Sequence, residues 1–418
     1  LIAGVTSPAP GPTTISAILG SRAFVAIGKL SYSLYLWHWP VYVLHRWTVG
    51  LDGPVHAASA LALTAALASA SYFLLEKPIR GHRLVRTQPP LRVVGAGIAG
   101  IVVCVDIAIS VFAAQGRISR SVTAQVDIWY PDAPASSRER TASPCRAAFG
   151  HAGENGVEAQ TMTPADCTQL TPRAQRLFVI GDSHALAYTP MLVRVTETLA
   201  VPVQIYSNGG CSFANMHKTA DAKWMECTRY YRAAAAAIAA KATPGDVVFL
   251  AGLRLNRLGD QWGAVDEAGG ATTPHSDAAR QQQADALGET VELIGALGAS
   301  GGHLIIDAPA PIFRAAAFRC SDWFNRTNAY CAGGLSAGRD FLQALRQPVV
   351  DSLSALARRV PRLVVWDPFP VLCPGDVCRA ADSRGPLFFD GDHLSGTGND
   401  VVYPSFSALL KRTWEPAR

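Results

Sequence analysis

Phe178-Val179-Ile180-Gly181-Asp182-Ser183-His184 reads as a short apolar strand ending in a tight Gly-Asp-Ser turn that leads into a helix. A serine so placed stands at the C-terminal edge of a sheet, where open α/β folds bind ligands, and a helix N-terminus there favours developing negative charge. That is a suitable place for a nucleophile. Alone, Asp182 or Ser183 would serve equally well as a helix cap. Around this stretch the chain alternates short apolar runs with helical ones. Leu177 to Ile180 precedes Ala185 to Leu199, then come Val203 to Tyr206, Tyr230 to Lys241 and Val247 to Leu250. Gln281 to Leu297, His303 to Asp307, Phe341 to Arg358 and Leu363 to Trp366 follow. Such alternation predicts an α/β domain over residues 176–418, with a parallel sheet covered on both faces.

Nearer the C-terminus, Phe388-Phe389-Asp390-Gly391-Asp392-His393-Leu394-Ser395 places an Asp three residues before a His, after the last strand. A serine hydroxyl is a weak nucleophile until a base takes its proton, and the imidazole doing so needs a carboxylate to hold its tautomer and stabilise imidazolium. One turn can supply both partners.

Composition sets the surroundings. Of 418 residues, 49% are hydrophobic and 17% charged, and the apolar excess is concentrated in the first 115. Three stretches, near residues 29–48, 56–76 and 92–114, approach the ~20 residues needed to span a bilayer. The basic residues Lys77, Arg80, His82, Arg83, Arg86 and Arg92 lie between the second and third, as expected of a cytoplasmic loop. With that loop inside, everything after about residue 115 is expected outside. The net charge is +5, and no basic stripe tracks a phosphate backbone, so nucleic acid is excluded as a partner.

Of nine cysteines, all but Cys104 follow the last apolar run. Sequential pairing would join Cys145 to Cys167, Cys211 to Cys227, Cys320 to Cys331 and Cys373 to Cys378, one of about 105 connectivities. Such usage favours an oxidising compartment over a zinc site, and no metal is expected. Residues 116–175 carry turn formers without a sustained period and are expected to form an irregular linker and disulfide-pinned entry segment. The chain opens on Leu1-Ile2-Ala3-Gly4, without Met or a leader, and is expected to begin within a longer protein.

The Gly-Asp-Ser and D-x-x-H blocks together resemble the SGNH hydrolase superfamily, with its flavodoxin-like three-layer fold. The resemblance implies Ser183 as nucleophile, His393 as general base and acid, and Asp390 as its orienting carboxylate; the family spacing disfavours Asp392. It also implies an oxyanion hole from the Ser183 backbone N–H, a glycine of Ser207-Asn208-Gly209-Gly210-Cys211, with Gly210 favoured, and an Asn after the strand Val247 to Leu250. Asn256 stands later than a clean match would put it, so Arg254 is an alternative there. Gly28-Lys29-Leu30-Ser31-Tyr32-Ser33-Leu34-Tyr35-Leu36-Trp37-His38-Trp39-Pro40 and Glu76-Lys77-Pro78-Ile79-Arg80 resemble the closing helices of the acyltransferase-three family of membrane O-acyltransferases, over residues 1–115. His38 is read as packing or anchoring.

Together these resemblances imply a bacterial inner-membrane protein with a periplasmic catalytic domain. It would transfer an acyl group, acetyl from acetyl-CoA, through a serine ester to hydroxyls of a cell-surface polysaccharide such as lipopolysaccharide O-antigen. No cofactor is expected to be tightly bound; the partners are a glycan acceptor and the lipid bilayer. A carbohydrate esterase and a catalytically silent glycan-binding module are the alternatives.

Overall fold

The computed structural model describes residues 14–82, 87–131, 143–154, 156–211, 213–214, 222–258, 276–298 and 301–414. The chain divides into two compact units, one of Leu1–Arg120 with Trp323–Ala329, the other of Ser121–Asp322 with Tyr330–Arg418.

In the first unit, helix α1 spans Arg22–Trp47. Helix α2 begins at Pro54, passes through a π-helical turn at Tyr72–Glu76, and runs on to Gly81; α3 spans Pro90–Ala113. The segments Pro54–Gly81 and Pro90–Ala113 are long and apolar enough to cross a membrane, with mean hydropathies of 1.7 and 2.3. The aromatic α1 is not among them. Where α1 meets α2, Ser33 donates to Glu76 (3.0 Å), which also pairs with Arg80 (3.0 Å), so the carboxylate at the π turn has two partners. His38 Nδ1 lies 2.6 Å from the Tyr35 carbonyl, and its ring packs against Tyr35 and Tyr42. Arg83 and Arg86, part of the expected basic loop, lie outside the described residues.

The second unit is built on a seven-stranded sheet. Its strands are β1 (Arg146–Glu154), β2 (Val157–Ala165), β3 (Leu177–Gly181), β4 (Val203–Ser207), β5 (Val247–Ala251), β6 (His303–Asp307) and β7 (Leu363–Trp366), in the order β1-β2-β4-β3-β5-β6-β7. From β4 to β7 every pairing is parallel; β1 with β2, and β2 with β4, are antiparallel. Strands β3 and β5 are buried at every position, as expected of parallel strands covered on both faces.

The edge hairpin corrects the expectation of an irregular segment before residue 176. Residues 146–165 extend the sheet, Gln160–Met162 pairing with Val203–Ile205. Val157, Ala159 and Met162 are buried along β2, a pattern out of period two, and its Thr, Gln and Pro weakened the strand signal further. Cys145–Cys167 closes the hairpin's base, and Cys211–Cys227, Cys320–Cys331 and Cys373–Cys378 are likewise joined. Residues 132–142 of the expected linker lie outside the described residues.

Helices α4 (Ser183–Ala187), α5 (Thr189–Leu199), α6 (Ala222–Lys241), α7 (Asp277–Gly298), α8 (Arg339–Arg359) and α9 (Gly396–Trp414) complete the unit. The stretch Ala185 to Leu199, expected as one helix, breaks at Tyr188, and buried Asn399 holds the break. Its Nδ2 donates to the Ala187 carbonyl (2.8 Å) and its Oδ1 accepts the Met191 N–H (3.3 Å). Because the chain runs from β3 to β4 on one side and returns to β5 on the other, β3 sits at the switch point of the sheet. A crevice beyond its C-terminal end follows from that topology.

Candidate active site

At that end the sequence is Gly181-Asp182-Ser183. Only glycine fits first, since a Cβ on Gly181 would lie 2.1 Å from the Ala251 carbonyl oxygen of β5. Asp182 caps α4, its Oδ1 accepting the His184 N–H (2.8 Å), while its Oδ2 accepts the Leu253 N–H (3.1 Å). Its carbonyl accepts from the Ser207 hydroxyl (2.9 Å), and the Gly181 carbonyl accepts the Asn208 N–H (3.1 Å). The loops after β4 and β5 therefore both brace the turn that presents Ser183.

Ser183 Oγ lies 2.8 Å from Nε2 of His393, 210 residues away, and His393 Nδ1 lies 2.8 Å from Asp390 Oδ2. A carboxylate only accepts, so the proton on Nδ1 points at Asp390 and Nε2 faces the serine. Asp390 Oδ1 accepts the backbone N–H of Asp392 (2.9 Å) and of His393 (2.7 Å). One short turn thus fixes carboxylate and imidazole together. Burial opposes ionisation of Asp390, yet His393 and those two N–H donors hold its carboxyl well below the usual carboxylate range. Burial alone would depress His393, but the Asp390 and Asp392 carboxylates outweigh it and lift the imidazole to about 10.

Around this line stand Asp392, which the family spacing disfavours as orienter, and residues the sequence did not single out. Asp392, 4% exposed, brings Oδ1 to 2.9 Å from His393 Nδ1 without an aligned hydrogen bond, while Arg257 Nε lies 2.5 Å from its Oδ2. The His184 ring stacks on His393 with centroids 4.3 Å apart; its Nδ1 is 3.1 Å from Asp182 Oδ1, and its Nε2 is 3.7 Å from Asp392 Oδ1. The ligand atoms of His184, Asp392 and His393 lie within 4.8 Å of one another. The rings are nearly parallel, at 22°. A metal bonds an imidazole in its ring plane, so no single ion can suit both histidines as they stand.

The oxyanion candidates divide. Gly210 is exposed on the loop after β4 with φ of +76°, a left-handed conformation that suits glycine. That loop is pinned by Cys211–Cys227 and by Tyr231, whose hydroxyl donates to the Cys211 carbonyl. Asn256 is exposed on the loop after β5. Arg254, the alternative donor, is excluded because its side chain is 0% exposed and turned inward. It pairs with Asp307 and donates to the carbonyls of Leu250 (2.9 Å), Gly252 (3.2 Å), Ala214 (3.3 Å) and Asp307 (2.9 Å). Asp307 also accepts from Tyr188 (3.2 Å) and the Gly252 N–H (3.4 Å). The only hint of this hub in the sequence was a charge set just past a wholly apolar strand.

The arrangement can activate a hydroxyl for attack on an ester and return the proton to a leaving oxygen. Residues 145–408 match the family described as SGNH domain (fused to AT3 domains). A protein of Bacillus subtilis (strain 168) named "Putative peptidoglycan O-acetyltransferase YrhL" is 38% identical over 82 residues, 19% of this chain; the match spans 12% of that relative's length. Similar solved structures include the periplasmic domain of a lipopolysaccharide acetyltransferase of Salmonella ser. Paratyphi A. That domain is 13% identical, with 58% of this chain and 85% of that one covered and a TM-score of 0.38. A "putative acylhydrolase" of Bacteroides fragilis NCTC 9343 is 11% identical, with 59% and 92% covered and a TM-score of 0.31.

Proposed function

This chain belongs to the family of SGNH domains fused to AT3 domains, and from that premise we propose that it is an O-acyltransferase using Ser183, His393 and Asp390 as a catalytic triad. The observation that carries the reading is the aligned run from Ser183 Oγ through His393 to Asp390, with both hydrogen-bonding distances at 2.8 Å. In the first half-reaction Ser183 Oγ attacks the acyl carbonyl as its proton passes to His393 Nε2. The tetrahedral oxyanion is met by the backbone N–H groups of Ser183 and Gly210 and by the Asn256 side chain. Collapse expels the donor's leaving group, which takes the proton from His393, and leaves an acyl ester on Ser183. In the second, a glycan hydroxyl gives its proton to His393 and attacks the ester. The acyl group leaves on the glycan, and Ser183 regains its proton from the imidazolium.

The acyl group on this reading is acetyl, delivered from acetyl-CoA across the membrane, and the acceptor is a cell-surface polysaccharide. The name of the Bacillus relative, a putative peptidoglycan O-acetyltransferase, is in keeping with it. Four disulfides support an oxidising, extracytoplasmic setting for the second unit, and two helices apolar enough to span support anchoring in the bilayer.

The test is intact-mass analysis of the full chain in detergent micelles after exposure to an activated acetyl ester, beside Ser183→Ala, with and without surface glycans. The expected result is an acetyl adduct on the native protein alone, discharged faster when glycan is added. Discharge to water at the same rate with and without glycan would make it an esterase. An ester neither consumed nor attached by folded protein would overturn the triad and favour a glycan-binding module.

A further inference from the structure

The imidazole of His393 faces two carboxylates. Asp390 takes the proton on Nδ1 in line, and Asp392 Oδ1 sits 2.9 Å from the same nitrogen, off line. Asp392 is the more deeply placed, its side chain 3% exposed against 25% for Asp390. A buried carboxylate so close to a second one carries a heavy desolvation and repulsion cost unless something offsets it. Arg257 does so, contacting Oδ2 from the loop after β5. His184, held at Nδ1 by Asp182, brings Nε2 to 3.7 Å from Oδ1 without a hydrogen bond. With Ser183, these are the titratable and charged groups that face the base among the described residues.

We propose that Asp392 is a positioning residue of the catalytic centre, a second carboxylate whose charge, balanced by Arg257, sets the pH at which His393 becomes available as a base. The inference rests on the triad reading. Asp390 orients the ring through a directed hydrogen bond, which fixes the tautomer, whereas Asp392 contributes field without direction. Arg257, itself 45% exposed, is the adjustable member. An acceptor bearing negative charge that drew the guanidinium away would leave Asp392 uncompensated and make His393 harder to deprotonate, while a neutral hydroxyl acceptor would not.

The experiment is the pH profile of kcat/KM for release from an activated acetyl ester by the full chain in detergent micelles. It compares the native protein with Asp392→Asn, Arg257→Gln and Ser183→Ala. Asparagine keeps the shape of aspartate and removes the charge, so the acidic limb should move to lower pH by about one unit or more. Loss of Arg257 should move it the opposite way, which a merely structural role for either residue would not produce. Ser183→Ala separates the failures, because activity that survives it sinks the triad reading. If Ser183→Ala is inactive and both other variants keep the native limb within about 0.3 of a pH unit, Asp392 does not set the base and the proposal falls. Should Asp392→Asn fail to fold, the direction of the Arg257→Gln shift decides alone.

Discussion

Replacing Arg254 by Met should cost the second unit about 3–5 kcal/mol, the range for removing one partner of a buried ion pair. The cost arises in two places. Asp307, 2% exposed, loses its salt-bridge partner, keeping the Tyr188 hydroxyl and a long contact to the Gly252 N–H. Burial already holds its carboxyl above the usual range while Arg254 pulls it down, so without Arg254 it takes up a proton, which caps the loss. The carbonyls of Leu250, Gly252, Ala214 and Asp307 lose a charged donor, and methionine supplies nothing in return. Because Leu253 N–H braces Asp182, the freed loop should also lower kcat for ester consumption. Urea unfolding with the disulfides intact, followed by the fluorescence of buried Trp366, measures the stability loss. The double variant Arg254→Met/Asp307→Leu should recover at least half of it, since the orphaned charge is then gone as well. A single variant within about 1 kcal/mol of native would refute the assignment of Arg254 as the hub of the site.

Gly181→Ala should leave little folded protein, because its Cβ would meet the Ala251 carbonyl at 2.1 Å and two core strands would have to part; native yield in a size-exclusion profile would contradict this. Breaking Cys145–Cys167 by a double Ser substitution should lower stability by about 3 kcal/mol, and breaking Cys373–Cys378 by about 2, since the loops closed differ in length; a reversed order in urea midpoints would count against loop closure as the cause. His393 is raised in the folded chain, so its contribution to stability is complete below its unfolded value of about 6.5 and fades as pH rises through about 10. Midpoints of the native protein should therefore fall across that window by more than those of Asp390→Asn, and equal falls would argue against the pair as their source. Asn399→Leu, isosteric but unable to bridge the Ala187 carbonyl and Met191 N–H, should destabilise by about 1–3 kcal/mol, and an unchanged midpoint would show the break at Tyr188 to be self-sustaining.

Strands β3 to β7 were legible in the sequence because parallel core strands are apolar on both faces, and a run such as Val247 to Leu250 has no competing interpretation. The Gly-Asp-Ser turn and the Asp390-to-His393 spacing were legible for a similar reason, since each is a local pattern. Sequential cysteine pairing was one arithmetic option among many, and the chain adopts it because each pair closes a short loop. Hairpin β1–β2 was missed because the buried positions of β2 do not keep a period of two, Val157 and Ala159 being followed by Met162, with Gln160, Thr161, Thr163 and Pro164 spread over both faces. The inward turn of Arg254, the stacking of His184 on His393 and the approach of Asp392 to the same imidazole are facts of tertiary structure alone. Nothing in an Arg, a His or an Asp taken singly says which buried carbonyl, ring or nitrogen will lie beside it. The sheet's crossover at β3 decides that, by bringing chain segments some 210 residues apart to one crevice where their charges must be balanced against one another.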